Sequence, residues 1–363
     1  MSNGLRPLLA AAWLALLLMS GYLLFVGREV LIPVALAMLI WQLLNAIAAR
    51  YRKLHVGGEP IPRWLSLLLS LLTIGTALAL VVKLIVDNVG AVSAAAPMYE
   101  ANLMAVLPRL ADTLGLPPPE SLGALLDQID LALWIRRFSA ALAAFAGSIF
   151  LIALYVGFLL LEQKIFDTKI DALFPVPEKA ASVRGLLGHI ERRVERYLWI
   201  KTLMSLVTAL LSWCVLAAVG CANASFWALV IFMLNYIPFL GSVLGVVFPA
   251  MLTLVQFGSL GPFAVVTVCL SIIQFSLGTV LEPRLHGSSL NLSPVVILIS
   301  LAAWGGLWGV AGMFLCVPIM VIVMIVCAHF APTRRLAILL SATGRLDKDV
   351  PEPGRHRRAP LAA

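Results

Sequence analysis

The residue types best suited to chemistry stand together at Glu282, Pro283 and Arg284, directly after an apolar run at 261–281. A carboxylate at the end of a membrane-length run can form a gate with a nearby cation, or it can bind a solute or a proton. Arg284 is the expected partner of Glu282. Pro283 disfavours helical geometry at the residue before it, so the sequence predicts Glu282 at a helix end. The alternative is an interfacial ion pair that only anchors the following loop.

Other polar side chains lie in the same half of the chain, in or just after the apolar runs. Thr279 precedes Glu282 by three residues and would share its face of a helix, so the two are predicted to address one cavity. The polar candidates for a solute path or gate, besides the three residues above, are Asn235, Tyr236, Gln274 and Thr279.

Two longer apolar stretches, 224–257 and 294–330, exceed one membrane crossing and are broken internally. The first break is at 235–241, where Pro238 removes a backbone donor, and the second is at 304–309. At membrane depth such breaks persist only where protein or a water-filled cavity satisfies the freed backbone groups. Broken helices in paired positions are the best sequence indication of a transport site. A proline kink with tight packing and no ligand is the alternative.

Each break also contains two glycines four residues apart, and such spacing lets helix backbones approach closely. Pro238 and these glycines complete the candidate set; the glycines are Gly241, Gly245, Gly305 and Gly309.

The composition of the chain is typical of an integral membrane protein. Of the 363 residues, 61% are hydrophobic and 12% are charged, whereas soluble domains average about 45–50% apolar and about 25% charged residues. Such a chain cannot cover a water-facing surface, which excludes a soluble enzyme, a nucleic-acid-binding protein and a disordered protein.

The sequence has no GK[ST] phosphate-binding loop and no HExxH or GxSxG pattern, so we expect neither enzymatic activity nor a cofactor. The five cysteines lie in or beside apolar runs without metal-ligand spacing, so we expect no metal site.

The apolar runs predict an all-α integral membrane protein with about eight transmembrane segments, including two broken-helix hairpins in the C-terminal half. Arginine and lysine divide 20 to 4 between the two predicted sides, which assigns both termini to the cytoplasm by the positive-inside rule. The predicted regions are a three-span N-terminal region at 1–86, an extracytoplasmic amphipathic segment at 87–139, a fourth span at 140–161, a cytoplasmic amphipathic helix region at 162–200, a transport region at 198–330 and a basic cytoplasmic tail at 331–363 that is expected to be disordered.

Three motifs in the C-terminal half resemble those of the autoinducer-2 exporter-like transporter family, a group of bacterial multi-spanning permeases. Their order and spacing match over about 235–318, whereas the N-terminal half matches only in layout. The motifs are NYIPFLG at 235–241, Glu282-Pro283-Arg284 followed by Gly287, Leu290, Leu292, Ser293 and Pro294, and WGGLWG at 304–309 followed by Gly312, Met313 and Pro318.

The resemblance implies a secondary transporter in the bacterial plasma (inner) membrane, most simply an exporter of a small polar molecule such as an autoinducer-2-like signal or a related metabolite. It further implies a homo-oligomer in the lipid bilayer, with a coupling cation or proton as a second partner and with no nucleic acid bound. One alternative is a sodium/proton-type cation antiporter that uses Glu282. A second alternative is a non-transporting membrane scaffold.

Overall fold

The computed structural model describes residues 5–56, 59–84, 148–286 and 290–346, together with single positions at 87 and 102. The predicted segment at 87–139 therefore lies outside the described residues, apart from those two positions, and so does the tail after residue 346. The described part of the chain is almost entirely helical, which confirms the predicted all-α class. A small antiparallel hairpin pairs β1 (His55–Val56) with β2 (Glu59–Pro60).

In chain order, the helices of the described residues are α1 (Leu5–Val26), α2 (Arg28–Tyr51), α3 (Arg63–Leu84), α4 (Ser148–Glu162), α5 (Phe166–Leu173), α6 (Pro177–Val219), α7 (Ala224–Leu234), α8 (Leu240–Phe257), α9 (Leu260–Gln274), α10 (Glu282–His286), α11 (Pro294–His329) and α12 (Arg334–Leu340). A π-helix, Phe275–Leu281, joins α9 to α10, and a short 3₁₀ turn, Ala331–Thr333, precedes α12.

Within the described residues, 6 helices are long and apolar enough to cross a membrane, and the count reaches 7 if α4 and α5, bent by 67° at their junction, form one broken span. This agrees roughly with the predicted eight segments. Large apolar side chains stay exposed along these helices: Leu72 is 57% exposed, Phe150 is 75% exposed and Ile299 is 65% exposed. A surface of this kind is suited to contact with lipid tails rather than water.

Helix α6 differs from the sequence prediction because it is one continuous helix of 43 residues, Pro177–Val219. The sequence predicted instead a cytoplasmic amphipathic helix region at 162–200, followed by the transport region at 198–330. Neither glycine nor proline occurs after Gly188 in α6, so no residue of the types that end a helix separates the two parts. The predicted apolar and wet faces are nevertheless present, because Val194 is buried and Arg192 is exposed.

The chain forms two compact units, and it passes from one to the other inside α2 at 43/44, inside α4 at 149/150, inside α6 at 197/198 and again at 287/288. The first unit contains residues 1–43, 150–197 and 288–363. Within it, Trp308 of α11 donates its indole N–H to the carbonyl oxygen of Leu24 at the end of α1, at 2.9 Å. Arg184 of α6 donates a hydrogen bond to Asp171 of α5 at 2.5 Å.

The beginning of the C-terminal tail is folded, which corrects the expectation of disorder for residues 331–346. Helix α12 occupies Arg334–Leu340, and the chain beyond it pairs with the segment that leads into α11. The backbone N–H of Ser293 donates to Leu340, and that of Ala342 donates to Asn291. The sequence did not indicate α12, because many arginines and prolines follow its apolar residues, which include Leu336 and Leu339.

The second unit contains residues 44–149 and 198–287. Its core lies among the C-terminal part of α6, the hairpin of α7 and α8, and α9. The fully or nearly fully buried side chains of this core are Leu216, Cys221, Ile231, Ala250, Val266 and Leu270. This unit holds most of the residues that the sequence analysis singled out.

Candidate functional site

A buried ion pair lies within the second unit. The Nζ atom of Lys201 on α6 is 2.6 Å from Oε1 of Glu282 at the start of α10. The side chains are only 7% and 16% exposed, respectively. His286, one turn after Glu282 and also buried, places its Nε2 atom 3.9 Å from the same carboxylate oxygen. Charges are rare and costly inside membrane helices, and those that occur there commonly mark a solute or ion path.

The π-helix at Phe275–Leu281 explains how Glu282 remains helical despite Pro283. The sequence predicted that Pro283 would put Glu282 at a helix end. Glu282 instead has helical angles, φ −59° and ψ −48°, and the span continues from Leu260 to His286. The backbone N–H of Glu282 donates to the carbonyl oxygen of Leu277, the fifth residue before it, so the π-type bonding reaches the residue that precedes Pro283. A π-helix also bonds each residue to the fifth residue before it, and it is frequent at functional sites.

The structure therefore changes the predicted surroundings of Glu282. Its cation is Lys201, whereas Arg284 is exposed. Thr279 is exposed as well, so it does not share the buried environment of Glu282. The reason is the π-helix, which shifts the register of the helix face between these two positions.

Residues next to the ion pair extend the polar cluster to the first break. Thr202, which follows Lys201, lies 2.7 Å from Tyr236 through the two hydroxyl oxygens. Tyr236 belongs to the predicted candidate set, and so does its buried neighbour Asn235, the C-terminal cap of α7. The structure thus joins the first break to α6 through a hydrogen bond and joins α6 to α10 through an ion pair.

Among the buried polar atoms of the helices in this unit, those of one glutamine and two serines have no hydrogen-bond partner among the described residues. They are the Nε2 atom of Gln274 at the end of α9, and the hydroxyl oxygens of Ser205 and Ser212 on α6. Gln274 is 5% exposed, and both serines are 0% exposed. Ser205 is one helical turn after Lys201, and Gln274 is about two turns before Glu282. Buried polar groups nearly always have partners, so an unpaired set calls for an explanation such as a bound water or a ligand.

The first break has the geometry that the sequence predicted. Helix α7 ends at Leu234 and α8 begins at Leu240, with Phe239 between them at φ +61° and ψ −56°, a backbone conformation that residues other than glycine rarely adopt. Pro238 lies inside this turn, and its carbonyl oxygen accepts a hydrogen bond from the N–H of Leu240 at 2.6 Å. With only 11 residues, α7 is too short to cross a membrane alone. The stretch is therefore a hairpin of one short helix and one spanning helix.

The two glycines of this break are required for different reasons. A Cβ atom at Gly241 would overlap the carbonyl oxygen of Leu234, which is backbone and cannot rotate away. A Cβ atom at Gly245 would lie 2.9 Å from the Nε2 atom of Gln274 and 3.6 Å from Ile231. Gly245 therefore lets the buried amide of Gln274 approach α8 closely.

The second break lies in the first unit, within α11. Its non-helical residue is Gly309, with φ +61° and ψ −141°, a conformation that is open essentially only to glycine. A Cβ atom at Gly312 would overlap the carbonyl oxygen of Trp304. Gly305 is less constrained, since a Cβ atom there would meet the flexible end of Met313 at 2.8 Å. The predicted break is confirmed, but Gly312 is more tightly packed than the candidate Gly305.

Lys201 was missed as a site residue from the sequence, because it was counted only among the cytoplasmic basic residues that set the predicted orientation. A signal was present: Lys201, Ser205, Thr208 and Ser212 recur at helical spacing ahead of the apolar Leu216. All five are buried, so this polar stripe faces the interior of the second unit.

Gln256, a polar residue of the same half, has a structural role instead. Its Oε1 atom accepts a hydrogen bond from the backbone of Ala222 at 2.7 Å, and its Nε2 atom donates to Gly220 at 3.0 Å. These bonds close the turn between α6 and α7. Within the described ranges, no group of three or more His, Cys, Asp or Glu residues could hold a metal ion.

The sequence model of the AI-2E family transporter matches residues 12–331 of this chain. The chain belongs to the AI-2E transporter family. The AI-2 transport protein TqsA of Escherichia coli (strain K12) is 30% identical over 348 residues, which cover 93% of this chain and 98% of TqsA. A transport protein of Haemophilus influenzae, so named provisionally, is 27% identical over 321 residues, 86% of this chain and 90% of that protein.

A third relative, YhhT of Escherichia coli (strain K12), is also provisionally named a transport protein. It is 30% identical over 222 residues, 61% of this chain and 62% of YhhT. Family membership over nearly the whole length, together with the apolar helices, makes this chain a multi-pass membrane transporter of the permease type.

Proposed function

We propose that this chain is a secondary transporter that exports a small polar molecule across the bacterial inner membrane, and that the Lys201–Glu282 ion pair gates its path. The observation that carries the proposal is this ion pair itself, buried at 2.6 Å between two helices of a membrane transporter. Desolvating two charges costs several kcal/mol per ion, so an ion pair of this kind is weak evidence for a stabilising role. A functional reason for retaining it is therefore favoured.

We infer the chemical class of the solute from the unpaired polar atoms on the two spans that carry the gate. Unpartnered hydroxyl groups on Ser205 and Ser212 and the unpartnered amide of Gln274 suit an uncharged solute with several hydroxyl or carbonyl groups. An autoinducer-2-like signal or a related metabolite fits this class, and the name of TqsA points in the same direction. Each hydrogen bond to such a solute would satisfy a group that otherwise stays unpaired in the membrane interior.

Opening requires Lys201 and Glu282 to separate, and a polar solute lowers the cost of separation by hydrogen bonding to either charge. Tyr236 would transmit this change to the first break, because its hydroxyl contacts Thr202 beside Lys201. We propose that the two breaks act as hinges, each within its own unit, with the backbone at Phe239 and Gly309 absorbing the movement.

The decisive experiment compares metabolites in the medium and in the cells of three strains: a deletion strain, the same strain with the wild-type gene restored, and a strain that overproduces the protein. An exporter predicts that one polar metabolite falls in the medium and rises in the cells upon deletion, with the reverse upon overproduction. Unchanged metabolites of this class in all three strains would contradict the proposal.

A cation/proton antiporter remains the second candidate because His286 lies 3.9 Å from the Glu282 carboxylate, a combination that could exchange a proton for a cation. Proteoliposomes loaded with a pH-sensitive dye and given a pulse of sodium separate the two functions. A proton flux that is lost in Glu282→Gln supports the antiporter, whereas solute efflux without a sodium-driven proton flux supports the exporter.

We also propose that both termini lie in the cytoplasm and that the working form is a homo-oligomer. The positive-inside distribution of arginine and lysine supports the orientation. The extensive exposed apolar surface is consistent with contacts to lipid and to further copies of the chain.

A further inference from the structure

A pocket of about 430 Å³ opens between the ends of two membrane helices in the second unit. Its polar wall is formed by Arg52 and Lys53 after α2, and by Arg63 at the first position of α3. Its apolar wall includes Pro60 and Ile61. Both neighbouring helices meet the criteria for membrane spans, so the pocket lies where the chain leaves and re-enters the membrane.

The backbone holds these cations in place. After α2 the N–H of Lys53 donates to Arg50 and that of Leu54 donates to Tyr51, which turns the chain into the β1–β2 hairpin. Ile61, which is 8% exposed, anchors the return of the hairpin, and α3 begins two residues later. The cationic side chains therefore project from a folded turn rather than from a long loop.

The charge of the pocket is not neutralised within the described part of the chain. None of the salt bridges found there involves Arg52, Lys53 or Arg63. The other charged and titratable groups near these cations in sequence are Arg50 and Tyr51 at the end of α2, which are partly buried, and His55 and Glu59 on the hairpin, which are exposed. A cavity that combines exposed guanidinium and ammonium groups with an apolar wall suits an anion that carries a hydrocarbon portion.

Tryptophan side chains support the interfacial position of the pocket. Trp64 follows Arg63 and is 68% exposed. Trp199 on α6 is partly exposed and stacks under the guanidinium of Arg50, whose Cζ atom lies 3.4 Å from the ring centroid. Tryptophan is enriched at the level of lipid headgroups, where its ring is apolar and its N–H is wet.

We propose that this pocket binds the phosphate headgroup of an anionic phospholipid such as phosphatidylglycerol. Arginine and lysine would bond to the phosphate oxygens, while the acyl chains would continue along the exposed apolar surfaces of α2 and α3. The proposal is independent of the transported solute and of the Lys201–Glu282 gate.

The test is native mass spectrometry of the purified full-length protein, released from nanodiscs that contain phosphatidylglycerol and phosphatidylcholine in equal amounts. The test variant replaces all three pocket cations: Arg52→Gln, Lys53→Gln and Arg63→Gln. Its control removes the same charge from exposed positions elsewhere: Lys164→Gln, Lys179→Gln and Arg335→Gln.

We expect the wild-type protein and the control to retain phosphatidylglycerol in preference to phosphatidylcholine. The preference should fall by roughly tenfold to 100-fold in the pocket variant, from the attraction that each basic residue near an anionic surface contributes. Equal loss in both triple variants, or no preference in the wild-type protein, would overturn the proposal.

Two further arms keep the test decisive. If the pocket variant does not fold, Arg63→Lys and Arg63→Gln replace it, and only the glutamine variant should lose the preference. Excess inorganic phosphate distinguishes a lipid site from a site for free phosphate. Displacement of phosphatidylglycerol by inorganic phosphate would overturn the assignment to a lipid, and retention of the lipid supports it.

Discussion

Replacing Glu282 with glutamine keeps the shape of the side chain and removes its charge. At 2.6 Å, opposite unit charges attract by about 6 kcal/mol at an effective dielectric constant of 20. Most of this attraction offsets desolvation, but the loss of one partner leaves Lys201 charged and 6% exposed, which typically costs about 3–5 kcal/mol. We therefore expect Glu282→Gln to lower the thermal stability and the yield. The exposed Glu191→Gln serves as the matched control and should do neither.

The double variant Lys201→Met/Glu282→Gln separates stability from function. It removes both buried charges, so it should recover most of the stability lost in Glu282→Gln. In this double variant the closed state of the gate lacks the ion pair that stabilises it. If the ion pair contributes about 1–2 kcal/mol to the closed state, the ratio of open to closed protein rises about 5–30-fold.

The assay is solute flux through purified protein in proteoliposomes, measured between about pH 5 and pH 8, where histidine titrates. A gate predicts a raised flux in the double variant with little dependence on pH. A proton site at Glu282 predicts that the pH dependence and the coupled flux disappear together. Normal specific flux in the well-folded double variant, with an unchanged pH profile, would refute the gate and leave the ion pair a structural role.

The other predictions concern the breaks and the topology. Gly241→Ala should abolish transport and lower stability by about 1–3 kcal/mol through overpacking against backbone, whereas Gly306→Ala, which has open space around it, should be normal by thermal unfolding and flux. Gly309→Ala should lower the free energy of unfolding by about 1–3 kcal/mol, because alanine rarely adopts the backbone conformation of Gly309. Unchanged stability would show that the second break is not strained. In a background without native cysteines, a membrane-impermeant thiol reagent should label position 115 from outside and Ala181→Cys only after permeabilisation. Ala181 is exposed, so a thiol at this position is accessible to the reagent, and labelling from the opposite sides would overturn the assigned orientation.

Much of the fold follows directly from the sequence because membrane helices are encoded by local composition. The apolar runs predict most of the spanning helices, and the break at 235–241 is visible as an asparagine, a proline and a glycine within seven residues. Gly309 is likewise part of a visible glycine-rich break. Such features depend on neighbouring residues in the chain, and for that reason they can be read without the fold.

The partner of Glu282 could not be read in this way. Arg284 is close in sequence, whereas Lys201 is 81 residues away and becomes a neighbour only through the packing of α6 against α10. The π-helix before Glu282 is also hidden, because its sequence is apolar and resembles that of an ordinary helix. Similarly, the constraint on Gly312 comes from the carbonyl oxygen of Trp304 across the kink, which sequence spacing does not reveal.

The most direct test of the account is efflux of an autoinducer-2-like solute from proteoliposomes that contain the purified wild-type protein, measured beside the Lys201→Met/Glu282→Gln variant and protein-free liposomes. A gated exporter predicts saturable efflux through the wild-type protein, faster efflux through the variant and no efflux from protein-free liposomes. Efflux from wild-type proteoliposomes that equals the protein-free background, accompanied by a sodium-driven proton flux, would contradict it.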